Sequence, residues 1–440
     1  MATGTATHDE RHGRIHAGEG GAVVLSALYF FCVLAAYYVI RPVRDQLSAA
    51  VGSTQLPRFY AATFVATLLL TPLFAWLAAR YPRRVLVPVV YGFFIACLLA
   101  FVPLFLDHGL LSPRALGTIF FVWISVFSLF VVSVFWSFMA DIWDAAQARR
   151  LFPLIALGGA TGAIAGPALT RSLVEVIGVA PLLLVSASLL GIAMACAATL
   201  GRWVLRDDRV RSGAAHGVAI DGRMFDGLKQ VFGNPFIRSM ALLMLLGDAI
   251  GTINYALVTD YSRATFTDAV ARTRFAAELD LATNLLQAVM QLTLARWLLA
   301  RYGAAPVIAL WAVATAAMLL WVVFAPRADV PLLGTMPVVA LALIVSRGLA
   351  YGMFGPARES LFTHVPRNLR YLGKNAVDTA VWRFGDLATA LTMNALRTFG
   401  AATAGLAALG ALGAGAAGVV GWRLGRSAER DAVAATVPTQ

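Results

Sequence analysis

FGPARESLFTHVPRNLRYLGKNAVDTAVWRFGD, residues Phe354–Asp386, decides how this chain is read. It sets Arg358, Glu359, Arg367, Arg370, Lys374, Asp378, Arg383 and Asp386 into an otherwise very apolar sequence. Part of this set belongs to a loop, but Asp378, Arg383 and Asp386 lead straight into the apolar helical run LATALTMNAL. An ionisable side chain at membrane depth costs several kcal/mol unless it faces a wet cavity or a partner, so charges placed there mark a pathway. An earlier stretch, Phe135–Pro167 (FWSFMADIWDAAQARRLFPLIALGGATGAIAGP), has the same design: apolar helix, acid, basic turn, helix. Two copies of one device imply a protein built in two halves.

The rest of the composition agrees. Hydrophobic residues make up 60% of the 440 and charged residues 13%, with a mean hydropathy of +0.76. Such a chain folds with lipid as its solvent. Apolar runs of helical length recur without strand-like alternation, so a bundle of spanning helices is expected and a barrel is not. The net charge of +12 is no footprint of a nucleic-acid polymer, because the arginines cluster in short segments between apolar runs. The partners expected are the bilayer and a small anionic solute. Cys32, Cys97 and Cys196 lie in apolar stretches without metal-type spacing and read as packing. His8, His12 and His16 read as a solvated polar tail. No catalytic triad, zinc motif or dinucleotide fingerprint is visible, so no cofactor, metal or enzymatic activity is expected.

A window of membrane-spanning length gives about twelve spans, six within 22–204 and six within 236–425. A cytoplasmic linker, 205–235, joins them, and tails cover 1–21 and 426–440. The expected fold is all-α and integral to the membrane, with two six-helix halves of the major facilitator kind. Pro42 is expected to kink the first span without ending it. The basic turns carrying Arg80, Arg83 and Arg84, Arg149 and Arg150, Arg202 to Arg238, Arg296 and Arg301, and Arg358 to Lys374 all fall on one side. The positive-inside rule makes that side cytoplasmic, with both termini. ARYPRRVLVPVV (79–90) is echoed by LARYGAAPVIAL (299–310), the same turn in each half. It resembles a degenerate form of the major facilitator signature Gly-Asp-Arg-Gly-Arg-Arg, without the Asp.

YYVIRPVRDQL (37–47) puts Arg41, Arg44 and Asp45 inside the first apolar run, as cavity lining or as headgroup anchors. Asp280, Asn284, Gln287 and Gln291 follow helical steps and make one polar stripe. Arg347, Tyr351, Phe354 and Arg358 repeat at the same spacing, and Asp248, Thr252, Tyr255 and Thr259 do so with Asn254 beside them. Asn375, Asp378, Trp382 and Asp386 share a further face, flanked by Arg383. Each stripe alone reads equally as glue between helices, but four together suit a solute path. Guanidinium forks match phosphate and carboxylate oxygens, so Arg41, Arg44, Arg347 and Arg383 favour an anion, with Asp45, Asp378 and Asp386 as charge balance. Gly158, Gly159, Gly162 and Gly166 read as a packing face, not a phosphate loop.

Three motifs together resemble the ATP/ADP translocase family, the nucleotide transporters of plastids and intracellular bacteria. VIRPVRDQL resembles its Leu-Arg-x-x-Lys-Asp, with Arg44 where the family has a substrate-contacting lysine. FWSFMADIWDAAQARRLFPL resembles its Phe-Trp-x-Phe-x-x-Glu…Ala-Lys-Arg-Phe-Tyr-Pro-Leu, with Asp141 at the glutamate. FGPARESLF…GKNAVDTAVWRFGD resembles its Phe-x-Pro-x-Lys-Glu…Gly-Lys-x-x-Ile-Asp-x-x-x-x-Arg-x-Gly-Lys-Ser, with Pro356, Glu359, Gly373, Lys374, Asp378, Arg383 and Gly385 in register. In two places the chain departs: Leu257 stands at a family glutamate, and Asp386 at a family lysine.

The resemblance implies alternating-access exchange of nucleotides or similar phosphorylated anions by a monomer of a bacterial inner membrane. Substrate contacts are expected from Arg41, Arg44, Asp45, Asn254, Tyr255, Arg347, Asp378, Arg383 and Asp386. Asp141, Arg149, Arg150, Glu359 and Lys374 are expected to form a gate. The alternative is a proton-coupled carrier of another organic anion or drug, with Asp378 or Asp386 carrying the proton. A non-transporting sensor would be expected to bring a sizeable soluble domain, for which linker and tails leave no room.

Overall fold

The computed structural model describes residues 19–107, 109–206, 233–326, 328–330, 336–362 and 381–436. Among these the chain is helical almost throughout, with one isolated bridge between Asp329 and Pro337. In chain order the helices are α1 (Gly20–Val51), α2 (Leu56–Arg80), α3 (Arg83–Leu106), α4 (Pro113–Ile142), α5 (Ala145–Ile177) and α6 (Ala180–Arg206). Then follow α7 (Pro235–Thr265), α8 (Ala269–Leu292), α9 (Leu294–Tyr302), α10 (Ala304–Phe324), α11 (Val338–Leu349), α12 (Gly355–Leu361), α13 (Trp382–Thr398) and α14 (Thr403–Thr436). Residues 207–232 of the expected linker, residues 363–380 and the three tail histidines lie outside the described residues.

Among the described residues, ten helical segments are long and apolar enough to cross a membrane. The two remaining expected spans have identifiable reasons for falling short. The acids and amides of α8 lower its hydropathy, and only the part of the 374–398 span from Val381 onward is described. Leu69, Phe93, Val313 and Phe324 are exposed on the outside of helices, as lipid-facing side chains should be. Pro42 lies within α1, which continues to Val51. Arg44 and Asp45 are thereby carried on a helix, not a loop.

The chain divides into two compact units, and the division does not follow chain order alone. The first takes the described residues up to Val43 with 66–112 and 122–206; the second takes 44–65, 113–121 and everything from 233 onward. In the first unit, α1 and α5 meet backbone to backbone. A Cβ on Gly158 would strike the Ala27 carbonyl, one on Gly162 the main chain of Phe31, and one on Gly166 the Ala35 carbonyl and Tyr38. Small residues at a step of four are what let two membrane helices approach this closely. Thr170 reinforces the seam by donating to the Val39 carbonyl, and Ser186 of α6 donates to that of Ala36, each at 2.8 Å.

Since the main chain of Phe31 cannot yield, Gly162→Ala should cost about 1–3 kcal/mol. It should lower the thermal midpoint of the detergent-solubilised protein. Gly191→Ala on α6, where nothing lies within 4 Å, should leave that midpoint in place. Equal midpoints for both variants would show that the α1–α5 contact does not depend on glycine.

In the second unit α14 packs on α10 and α7. The glycines of α14 act as those of α5 do, with Gly418 against Ala312, Gly421 against Ile308 and Gly425 against Ala305. Trp311 of α10 stacks on Phe354 at 4.3 Å and donates to the Ser346 carbonyl at 3.1 Å. Between α11 and α12, Ala350–Phe354 forms a π-type turn. Gly352 there lies against the main chain of Gln287 on α8, where a Cβ would come within 2.9 Å.

Candidate functional site

Most of the polar groups singled out in the sequence and described here gather in the second unit, around Tyr255 of α7. Arg44 Nε and Nη2 donate to Oδ1 of Asp45 at 2.8 and 2.6 Å. The Tyr255 hydroxyl donates to that same oxygen at 2.9 Å. Three donors thus converge on one carboxylate oxygen. The Arg44 guanidinium also lies over Phe121 of α4, 5.0 Å from the ring centre. Tyr255 is flanked by two guanidinium groups, Arg44 at 5.9 Å and Arg347 of α11 at 6.0 Å. Arg347 in turn faces Asp280 of α8 at 3.8 Å. Asp45, Tyr255, Asp280 and Arg347 line a common cavity of about 30 Å³, room for water but not for a solute.

One turn earlier on α7, Thr252 donates to Asp386 Oδ1 of α13 at 2.9 Å. The carboxyl of Asp386 faces that of Asp248, with Arg383 close to both. Gly385 permits this approach, because a Cβ there would lie 2.6 Å from Asp248 Oδ2. Tyr60 of α2 lies within electrostatic range of Arg44, Tyr255, Asp248 and Asp386 and links the two groups. Arg44, Arg347 and Arg383 are therefore set among Asp45, Asp280, Asp248 and Asp386, three cations among four carboxyls. Charge so closely balanced allows such a cluster to exist within an apolar bundle, since a lone buried charge is prohibitive while a paired, hydrogen-bonded one is not.

Other expectations fare differently. Asn254 is buried away from the Tyr255 group, donating to the Ile250 carbonyl at 3.0 Å and meeting Ser346 of α11 at 3.5 Å. Asn284 is buried with Asp280, whereas Gln291 is exposed, so only the first half of the α8 stripe is buried. The Arg347–Tyr351–Phe354–Arg358 stripe does not hold. Tyr351 is exposed, Phe354 is buried on Trp311, and Arg358 meets Met244 and Glu359. The π-type turn, with its i→i+5 bonding, interrupts the helical register on which that stripe relied. Arg41 is buried in the first unit beside Tyr38, while Asp378 and Lys374 lie outside the described residues.

Among the expected gate residues, Arg150 binds Glu19 through both carboxylate oxygens at 2.9 Å, and Gln147 donates to Glu19 at 3.0 Å. Glu19 belongs to the stretch 1–21, where composition alone suggests only a tail. Asp144 caps α5, accepting from the amides of Ala146 and Gln147 at 2.8 Å each, so the basic turn enters α5 rigidly. Asp141 and Arg149 are exposed.

One constellation has no signal in the sequence. Asp260 of α7 accepts from the Ser53 amide at 3.1 Å, the Ser53 hydroxyl at 2.8 Å and Arg397 of α13 at 2.6 Å. Asn394 donates to the Thr54 carbonyl at 2.9 Å, and Arg263 to that of Val51 at 3.2 Å. The turn between α1 and α2 is thus tied to the far ends of α7 and α13. Gly52, at φ 88°, makes that turn and lies against Arg263.

A family model described as TLC ATP/ADP transporter matches residues 117–422. No curated relative matches the chain. Among solved structures, the nucleoside transporter NupG is similar with a TM-score of 0.64 at 15% identity, over 92% of this chain and 97% of that one. A bacterial homologue of the iron transporter ferroportin in an inward-facing state gives 0.62 at 16% identity, over 92% and 98%. The POT family transporter PepTSo gives 0.63 at 14% identity, over 93% and 98%. At such identities the likeness establishes a shared fold alone.

Proposed function

Because the chain belongs to the TLC ATP/ADP transporter family, we propose that it exchanges nucleotides or closely related phosphorylated anions by alternating access. One observation carries the reading: three donors, Arg44 Nε, Arg44 Nη2 and the Tyr255 hydroxyl, meet on a single oxygen of Asp45. A phosphate oxygen suits the same donors, so Asp45 acts as the internal stand-in that an anionic solute displaces. Arg347 and Arg383 supply further forks, and Tyr255 and Phe121 supply ring surface on which a base can lie. Asp280, Asp386 and Asp248 hold the cations while the site is empty. The halves 22–204 and 236–425 rock about this site as a monomer in a bacterial cytoplasmic membrane, with both termini cytoplasmic. Membership of a transporter family supports reading the protein as a carrier and not as an enzyme.

Ligand-dependent thermal stabilisation of the purified protein tests the site. A ligand bound only by the folded state raises stability with its concentration over Kd. Nucleoside triphosphate and diphosphate should raise the midpoint, and the parent nucleoside should not. Stabilisation by the nucleoside alone would turn the reading from phosphate to base recognition.

The facing carboxyls of Asp248 and Asp386 favour a second reading, proton-coupled uptake of an organic anion, because two carboxyls in contact can carry one proton between them. Asp386 stands where the family has lysine. Uptake that requires a pH gradient and ignores internal nucleotide would select this reading.

The inner gate is assigned to Asp141, Arg149, Arg150, Glu359 and Lys374, to which the pairing of Arg150 with Glu19 adds a member. Gates set conformational rates. Glu19→Gln and Asp141→Asn should therefore change maximal turnover while leaving the half-saturating concentration within about twofold. A purely weakened affinity at normal turnover would remove them from the gate.

A further inference from the structure

The first unit holds a groove of about 220 Å³ between α3, α4 and α6 that the transport reading does not use. Its walls are apolar, formed by Val87, Phe138, Met194 and Ala198, and two guanidinium groups, Arg84 and Arg202, stand in its lining. Both arginines are exposed, and neither has a carboxylate partner among the described residues. They sit at one end of the bundle, since α3 begins at Arg83 and the antiparallel α6 ends at Arg206. Small residues on α6, Ala197, Ala198 and Gly201, leave the space open. Beside the groove on α3, Val85, Val89 and Phe93 are exposed at steps of four and continue the apolar surface toward the middle of the span.

Unpaired cations at the end of a span, above an apolar channel, have a specific chemical complement. A soluble anion would match the guanidinium groups and waste the apolar walls; a neutral lipid would match the walls and leave two charges unanswered. We infer that this groove binds an anionic phospholipid, its phosphate between Arg84 and Arg202 and an acyl chain along Val87, Met194 and the exposed face of α3. Basic pockets between membrane helices take anionic headgroups by this combination of fork and wall. Under the proposed orientation the lipid comes from the cytoplasmic leaflet.

Native mass spectrometry of the full chain, released from micelles carrying equal amounts of phosphatidylglycerol and phosphatidylcholine, tests the site. The wild type should retain one phosphatidylglycerol in preference to phosphatidylcholine. Arg84→Gln combined with Arg202→Gln should cut that retention by roughly tenfold or more. The matching pair of lysine substitutions should keep most of it, and Arg301→Gln, a basic residue of the second unit, should keep all of it. Ala198→Trp fills the groove without touching its charge and should also expel the lipid, which covers the case of a double variant that folds poorly. Equal retention of the two lipids, retention in Ala198→Trp, or displacement of the lipid by millimolar inorganic phosphate would overturn the assignment, the last in favour of a soluble anion. The readout is bound lipid, so it stands or falls independently of nucleotide exchange.

Discussion

Arg44→Ala should abolish nucleotide transport, and lowering the salt should not restore it. The substitution removes two of the three donors on Asp45 Oδ1, and with them the guanidinium charge beside that carboxylate. Removing one partner of a buried ion pair costs about 3–5 kcal/mol, and this pair, with both side chains 13% exposed, should cost less than that. The double variant Arg44→Ala with Asp45→Asn separates folding from function: it should recover expression and thermal stability but not binding. Arg44→Lys keeps the charge and loses the planar fork, and should weaken binding of a phosphorylated solute by about 1–3 kcal/mol. Nucleotide affinity of the purified variants checks both. Normal transport by Arg44→Ala would remove the anion site from the Arg44–Asp45 pair and direct attention to the α8 stripe, Asp280 and Asn284.

The second large effect is expected just beyond Tyr255, at the C-terminal end of α7. Asp260 gathers three donors from the α1–α2 turn and α13, elements from both ends of the chain. We assign it as the outer latch, a hypothesis resting on that geometry and on the topology from the basic turns. Asp260 is 43% exposed, so water screens the latch and its worth is set at about 1–2 kcal/mol. That amount changes the balance between open and closed states by roughly fivefold to thirtyfold. In Asp260→Ala, labelling of a cysteine at Ser262, buried on α7 beside the latch, by an impermeant thiol reagent should speed up by that factor, with slowed exchange. Arg397→Ala should reproduce part of the effect. Unchanged labelling in both would leave Asp260 as a structural tie.

The fold is legible in the sequence because it is written in long-range composition. Twenty-residue apolar runs separated by arginine turns need no tertiary information to read, and the glycine step of four on α5 announces a close contact even before its partner, α1, is known. The charged residues of Arg44–Asp45 and Arg383–Asp386 are legible for a related reason: a charge inside an apolar run is too costly to persist without a buried partner or a wet cavity. Rotation and end geometry are not legible. Whether Asn254 or Tyr255 faces the cluster is one residue's turn of α7, and only packing decides it. The α11 stripe fails because a π-type turn at Ala350–Phe354 shifts every later residue around the axis. Asp260, Ser53 and Arg397 look like ordinary polar residues at helix ends, and only their convergence from three distant segments makes a site. Glu19 is hidden in the same way, since a lone acid beside a polar tail carries no mark of the distant arginine it binds.

Counterflow in proteoliposomes tests the exchange most directly. Vesicles loaded with unlabelled ADP should take up external labelled ATP above its equilibrium level, without a pH gradient, and inorganic phosphate or free nucleoside inside should drive far less. Uptake driven only by an imposed pH gradient, and indifferent to internal nucleotide, would contradict nucleotide exchange and leave the Asp248–Asp386 pair as the coupling element.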